Sequence, residues 1–196
     1  INPATQDFFF SAVGSQEQQT FSSTTGGTYT PFQARRLTPS YTFNTTNNPY
    51  NPTQGRSVTA SLEFTGGFLG GNVNFYRPAL EYRYFKPVNK GRNTLAARFM
   101  VSYGQGFNNV TVPFYERFFI GGDFDLRGFD FRSISPISYV TRELDVTDPF
   151  TGRTTKQRYD DIVYVGGDTQ ALFNFEYRIP IAGRITLAPF ADVGNT

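Results

Sequence analysis

The chain has no cysteine, no histidine and no tryptophan among its 196 residues. Without cysteine there is no disulfide and no thiol nucleophile. Its absence also fits an envelope protein that avoids stray oxidation. Without histidine the usual zinc ligand and the commonest general base are missing as well. A Ser-His-Asp hydrolase is therefore excluded within this chain, and neither a metal nor a cofactor is expected. No apolar run reaches the length of about 18 residues that a membrane-crossing helix needs. Charge is also scarce: the net charge is +2 and the basic residues are scattered, so no nucleic-acid surface is expected. Hydrophobic residues make up 38%, low for a soluble core of this length.

What the chain does have is 22 Phe, 12 Tyr, 19 Gly and 12 Pro, a composition of strands joined by turns rather than of helices. No signal peptide opens it; Ile1-Asn2-Pro3 reads as the middle of a longer chain, and Asp192-Val193-Gly194-Asn195-Thr196 as a strand cut before its turn. A fragment of a longer protein is the expectation. Residues 1–34 are rich in Ser, Thr, Gln and Gly and read as a long surface loop, with a short strand at Phe8-Phe9-Phe10 as an option inside it.

From Arg35 the pattern changes to alternation of period two. Leu37, Tyr41 and Phe43 share one parity, against Arg36, Thr38, Ser40 and Thr42. Val58, Ala60, Leu62 and Phe64 alternate with Thr59, Ser61 and Glu63. Leu80, Tyr82 and Tyr84 alternate with Glu81 and Arg83; Leu95, Ala97, Phe99, Val101 and Tyr103 with Arg98 and Ser102. Two strands close the chain. Phe173, Phe175 and Tyr177 oppose Asn174, Glu176 and Arg178 in the first; Ile185, Leu187, Ala191 and Val193 oppose Phe190 and Asp192 in the second. Turns are signalled at Asn47–Gly55, at the paired glycines 66–67 and 70–71, at 87–91 and near Ala182-Gly183. Residues 135–168 read as a long polar loop with a hairpin around Asp148-Pro149-Phe150-Thr151-Gly152.

Each strand keeps its alternation for roughly ten residues, longer than the five or six usual in soluble sheets. One face is apolar and aromatic, the other polar and charged even in mid-strand. Short turns alternate with long connections. That combination predicts an all-β protein, a portion of an antiparallel transmembrane β-barrel with lipid outside and a polar lumen inside. The outer Phe and Tyr read as lipid contacts and interfacial girdles. Glu81, Arg83, Arg98 and Arg178 read as general lumen polarity.

Within the loop, Phe118-Phe119-Ile120-Gly121-Gly122 and Leu126-Arg127-Gly128-Phe129 resemble the signature of the BamA-type bacterial surface-antigen family, the outer-membrane assembly factors. The family motif is (V/I)RG(F/Y), so Leu126 is a mild departure. Pro113-Phe114-Tyr115-Glu116-Arg117 also matches. So do Phe190-Ala191-Asp192-Val193-Gly194, which resembles the family's FxDxG strand, and Tyr50–Gly55, which resembles its periplasmic turn.

The resemblance covers residues 35–196. It implies about six or seven strands of a larger, roughly sixteen-stranded barrel, with residues 1–34 an extracellular loop region and the loop 117–168 carrying the LRGF motif. It further implies that the periplasmic domains and the strands forming the lateral seam lie outside this chain. The loop is expected to fold back into the lumen, where Arg127 meets Glu176 and Asp192, both on the polar parity of their strands. Gly128 would permit the tight turn, Phe129 would pack on the inner wall, and Gly121 and Gly122 would be the hinge. The plainer alternatives are an ordinary hairpin turn at Arg127-Gly128 and unpartnered lumen charges at Glu176 and Asp192.

The implied function is non-enzymatic: assembly and insertion of β-barrel proteins into the bacterial outer membrane, through a weakened seam that admits client strands by edge pairing. The implied partners are outer-membrane lipid, unfolded outer-membrane clients and accessory envelope lipoproteins. A two-partner-type secretion transporter of the same superfamily is the alternative. From other classes, an outer-membrane enzyme is disfavoured by the missing histidine, and a passive porin by a lumen filled with a folded-in loop.

Overall fold

The computed structural model describes residues 5–17, 32–147, 149–150, 152, 154–183 and 185–196. Among the described residues eleven strands are formed: β1 (Thr5–Glu17), β2 (Phe32–Asn44), β3 (Gly55–Thr65), β4 (Phe75–Val88), β5 (Asn93–Tyr103), β6 (Gln105–Gly106), β7 (Ile137–Thr147), β8 (Thr154–Tyr164), β9 (Thr169–Ala182), β10 (Ile185–Leu187) and β11 (Phe190–Asn195). Single 3-10 turns occupy Gly67–Leu69 and Phe114–Glu116. No described helix is long and apolar enough to cross a membrane.

Nine strands make one antiparallel sheet in the order β1-β2-β3-β4-β5-β9-β10, with β11 also on β9 and the short β6 on β4. β10 and β11 lie end to end along β9, so the sheet is seven strands wide. Among the described residues it does not close: β1 pairs only with β2, and β10 and β11 only with β9. β7 and β8 form a separate two-stranded sheet around the expected hairpin tip, of which Asp148 and Thr151 lie outside the described residues.

The register aligns the alternation across strands. Phe43, Val58, Tyr82, Phe99, Phe173 and Val193 form one continuous apolar row. One residue along, Ser57, Arg83, Arg98, Asn174 and Asp192 form a polar row on the opposite face. Accessibility runs opposite to that of a soluble sheet. The apolar row is uncovered, with Phe99 41% and Phe173 44% exposed, whereas Ser102, Gln170 and Leu172 on the polar face are buried beneath the loop. A sheet that turns its aromatics outward and covers its polar side is built for a hydrocarbon exterior and a filled interior.

Turn chemistry sets the strand ends. Asn47 Oδ1 accepts from the amides of Thr53 and Gln54 at 3.0 and 3.2 Å, and Asn48 Oδ1 from those of Tyr50 and Asn51 at 2.8 and 3.1 Å. These Asx bonds hold the connection between β2 and β3. Gly55 closes it at φ 109°, where a Cβ would stand 2.3 Å from the Thr45 carbonyl oxygen. At the other end of the sheet Ala34, Val73, Phe75 and Val112 form a small buried cluster, with Phe75 fully enclosed.

The strands are longer than expected, 11 to 14 residues in β2 to β5 and β9. One expectation is overturned. Residues 1–34 are not all loop, because Thr5–Glu17 pairs with β2 over its whole length. Its Ser, Gln and Thr content reads as loop only if both faces of a strand need apolar side chains. In this register Phe8, Phe10 and Ala12 stand opposite Tyr41, Pro39 and Leu37, and Asp7, Ser11, Ser15 and Glu17 take the alternate positions together with Phe9 and Val13. Residues 18–31 of the expected loop lie outside the described residues.

Candidate functional site: a clamped loop on the inner wall

β5 and β9 are sheet neighbours and β6 still pairs with β4, so the chain between Gly106 and Thr169 must leave the wall and return to it. The return is stitched by two isolated bridges. The Phe118 amide donates to the Gly167 carbonyl and the Gly167 amide to the Phe118 carbonyl, both at 2.9 Å. Ile120 and Ile134 exchange bonds of 3.1 and 3.0 Å. Past them the chain turns at Gly121 (φ 121°) and Gly122 (φ 104°). At Gly121 a side chain is excluded twice, by the backbone angle and by the Asp130 carbonyl oxygen, 2.4 Å from where a Cβ would be. The two expected hinge residues thus stand where the loop doubles back.

The segment beyond this turn lies on the polar face. Arg127 donates from Nε and Nη2 to the two carboxylate oxygens of Asp192, each at 2.7 Å, and from its backbone amide to Oδ2 at 3.1 Å. Nη1 donates to Glu176 Oε1 at 2.5 Å. The guanidinium also stands 3.8 Å from the centroid of the Phe190 ring. One planar fork thus engages two carboxylates on adjacent strands, a task that suits arginine and not lysine. The Asp192 side chain keeps only 3% exposure, against 22% for Arg127 and Glu176. Hydrogen bonding to Asp192, with Glu176 adding to it, holds the Arg127 proton even more firmly than usual.

The motif's other residues divide differently from expectation. Leu126 is buried, at 4% exposure. Phe129, expected against the inner wall, is 52% exposed. The apolar contact is made instead by Ile120, which is fully enclosed. Its Cδ1 and that of Leu172 lie over Gly194, 2.9 and 3.0 Å from where a Cβ would stand. The glycine of the FxDxG strand therefore leaves room for the loop's isoleucine, while the aspartate two residues earlier binds its arginine. Gly128 has φ 87° and open space around it, so its role is conformational alone. Gly128→Ala is expected to destabilise loop docking by about 1–2 kcal/mol through backbone strain, measurable as faster hydrogen exchange of the 121–134 amides.

Three supporting residues were not assigned to the site from the sequence. Asn174 Nδ2 donates to Asp192 Oδ1 at 2.9 Å and to the Asp125 carbonyl at 2.6 Å, tying wall carboxylate to loop backbone. Arg98 is more than general lumen polarity: it donates to Glu81 Oε1 at 2.6 Å and to the Phe124 carbonyl at 2.8 Å. Arg178 donates to Glu176 Oε2 at 2.8 Å, so that carboxylate bridges two arginines. Their polar parity was readable; the wall partners of Asn174 and Arg98 depend on cross-strand register, whereas Arg178 and Glu176 lie two residues apart on β9. Between this segment and the turn at Pro49–Pro52 a cavity of about 530 Å³ remains, bordered by Arg83, Arg98, Phe124 and Arg178. No cluster of metal-ligating side chains occurs among the described residues. The arrangement contains paired charges and packed apolar contacts, which suit holding a segment in place.

Comparison with known proteins agrees with this architecture. The chain is 34% identical over 140 residues to the outer membrane protein assembly factor BamA of Nitratidesulfovibrio vulgaris, an alignment covering 67% of this chain and 14% of that protein. It thus spans about one seventh of that curated relative's length. The crystal structure of BamA from Haemophilus ducreyi lacking POTRA domains 1–3 superposes with a TM-score of 0.67 at 21% identity, over 91% of this chain and 33% of that one. The fold is that of a portion of the BamA barrel. Residues 4–196 match the Omp85 superfamily domain, and the chain belongs to that superfamily.

Proposed function

We propose that this chain is part of a bacterial outer-membrane factor that assembles and inserts other β-barrel proteins, and that the Arg127 clamp serves that activity. The observation that carries the reading is the three-way engagement of Arg127 with Asp192, Glu176 and Phe190, in a chain one of whose matched relatives is named an outer membrane protein assembly factor. The proposed role of the clamp is mechanical. It braces the loop against β9 and β11 and so keeps that wall in one shape while client strands add at an open barrel edge elsewhere. No bond is made or broken, and the reading calls for no cofactor. The uncovered aromatic face supports outer-membrane lipid as one partner; unfolded outer-membrane proteins and envelope lipoproteins are the others proposed.

The test replaces Arg127 by Ala in the protein as its own cell makes it and measures the amounts of unrelated outer-membrane barrels. The expected result is that many fall together, several-fold, while the altered protein itself persists in the membrane. Loss of a single secreted protein with barrel levels intact would move the reading to a secretion transporter of the same superfamily. Unchanged levels of both would leave Arg127 as a structural tie without a part in assembly.

A further inference from the structure

A second charged cluster lies on the same inner face, at the other side of the sheet. Glu116, in the 3-10 turn that leads into the loop, is buried. Its carboxylate pairs with Arg36 of β2 through Nη2 and with Arg77 of β4 at 3.4 Å. Arg77 also donates from Nη1 to the Glu116 carbonyl at 2.8 Å, so it grips side chain and backbone together. Glu63 of β3 completes the square, 2.6 Å from Arg77 and 3.5 Å from Arg36. The four side chains are between 10% and 25% exposed and their charges sum to zero.

Two properties set this cluster apart from a casual group of lumen charges. First, its polarity is the reverse of that at Arg127. Here the loop brings the carboxylate and the wall the arginines; at Arg127 the loop brings the guanidinium and the wall the carboxylates. Sliding the loop along the wall would bring like charges together, so the two sites jointly specify one position. Second, the two sites are anchored on different strands. Glu116 is held by β2 and β4, with Glu63 of β3 pairing to both arginines, whereas Arg127 is held by β9 and β11. The loop therefore spans the inner face from one side to the other. Between the anchors the chain is held by the bridges at Phe118 and Ile120 and by the burial of Ile120, so a displacement at Glu116 is passed on and not absorbed by slack.

We infer that Glu116 is a positioning residue: with Arg36, Arg77 and Glu63 it fixes where the loop enters the lumen and thereby holds Arg127 against Asp192 and Glu176. This rests on reading residues 116–134 as a loop docked inside the barrel. It does not depend on which clients the protein handles.

The chain has no cysteine, so Leu126→Cys places a single thiol in this segment, at a buried position beside Arg127. Its labelling by a membrane-impermeant thiol reagent is read on the folded, membrane-inserted population, in the protein as its cell makes it. Labelling then reports how often the loop leaves the wall. Adding Glu116→Gln is expected to raise the labelling rate roughly tenfold, the change that loss of one charge-assisted hydrogen bond produces. Adding the inversion of all four charges, Glu116→Arg and Glu63→Arg with Arg36→Glu and Arg77→Glu, which keeps every neighbouring pair of the square opposite in sign, is expected to return the rate toward that of Leu126→Cys alone. An unchanged rate in Glu116→Gln would overturn the inference, since the cluster would then stabilise only its own turn. Failure of the charge inversion to restore protection would overturn it too, because pairing would not be what sets the position. Should the Glu116 variants not fold, Arg36→Gln breaks the same pair from the wall side and is read by the same two outcomes. Client barrel levels play no part in this readout, so its failure and failure of the assembly reading are separable.

Discussion

Asp192→Ala is expected to weaken docking of the loop by about 2–4 kcal/mol, several times the effect of Glu176→Ala at about 1 kcal/mol. The two carboxylates look equivalent in the sequence, but their bonding is not. Asp192 accepts three bonds from Arg127 and a fourth from Asn174, at 3% side-chain exposure. Glu176 accepts one bond from Arg127, at 22% exposure, and shares its other oxygen with Arg178. Removing Asp192 leaves a largely covered guanidinium with one carboxylate and an amide with none. Removing Glu176 leaves the fork on Asp192 intact. The measurement is the opening free energy of the 121–134 amides by hydrogen exchange in each variant. A double-mutant cycle with Arg127→Ala should show strong non-additivity for Asp192 and a weak coupling for Glu176. Equal effects at the two positions would mean that the fork is not the unit that holds the loop.

Phe99→Arg is expected to cost about 2–4 kcal/mol of folding free energy in a bilayer, whereas Thr59→Arg costs less than about 1 kcal/mol. Phe99 lies on the apolar row between Tyr82 and Phe173. A guanidinium there has to reach through hydrocarbon to water. Thr59 lies on the opposite face, in register with Glu81 on the neighbouring strand, where a cation finds water and a carboxylate. Urea titration of folding into lipid vesicles, on the barrel that contains both sites, separates the two. If Thr59→Arg proved the more damaging, the faces would be assigned the wrong way round.

How legible all this was in the sequence depends on which residues one asks about. The parity of β2 to β5 and β9 could be read because lipid and lumen impose opposite demands on neighbouring side chains, and because Leu, Phe and Tyr are unambiguous about which they prefer. Of β1 only a short strand at Phe8-Phe9-Phe10 could be read, because Phe9 and Val13 fall on the other parity from Phe8, Phe10 and Ala12 and blur the alternation, and its pairing with β2 is a matter of backbone bonds. At the Arg127 site the parity placed Glu176 and Asp192 on the inner face. The unequal bonding was hidden because it depends on the stagger that sets Asp192 opposite Asn174, and Phe190 opposite Glu176. The Glu116 square was less visible still. Its members come from four separate segments and meet only through the registers of three strands. Its one local sign was Glu116 within the stretch Pro113–Arg117, which the resemblance matches as a whole without giving Glu116 a role. Ile120 over Gly194 shows the same limit: the glycine could be recognised as part of a motif, but not which side chain lies over it.

The placement of the two anchors along the chain also bears on the order in which the structure is built. Both wall partners of Glu116 precede it in the polypeptide (Arg36 and Arg77, as does Glu63, which pairs with both), and every wall partner of Arg127 follows it (Asn174 through Asp125 and Asp192, Glu176 and Asp192 directly). Pairing β5 with β9 closes an excursion of more than sixty residues from Tyr103 to Thr169, whereas the β7–β8 hairpin inside it closes locally. Long closures are slow because their entropy is lost before their contacts are gained. A chain that zips from its amino-terminal strands seats Glu116 first and carries Arg127 unpaired until β9 and β11 arrive; one that zips from the other end does the reverse. In either direction, the second ion pair to form registers that the excursion has ended with its loop inside, so completion of the wall and seating of the loop become a single late event.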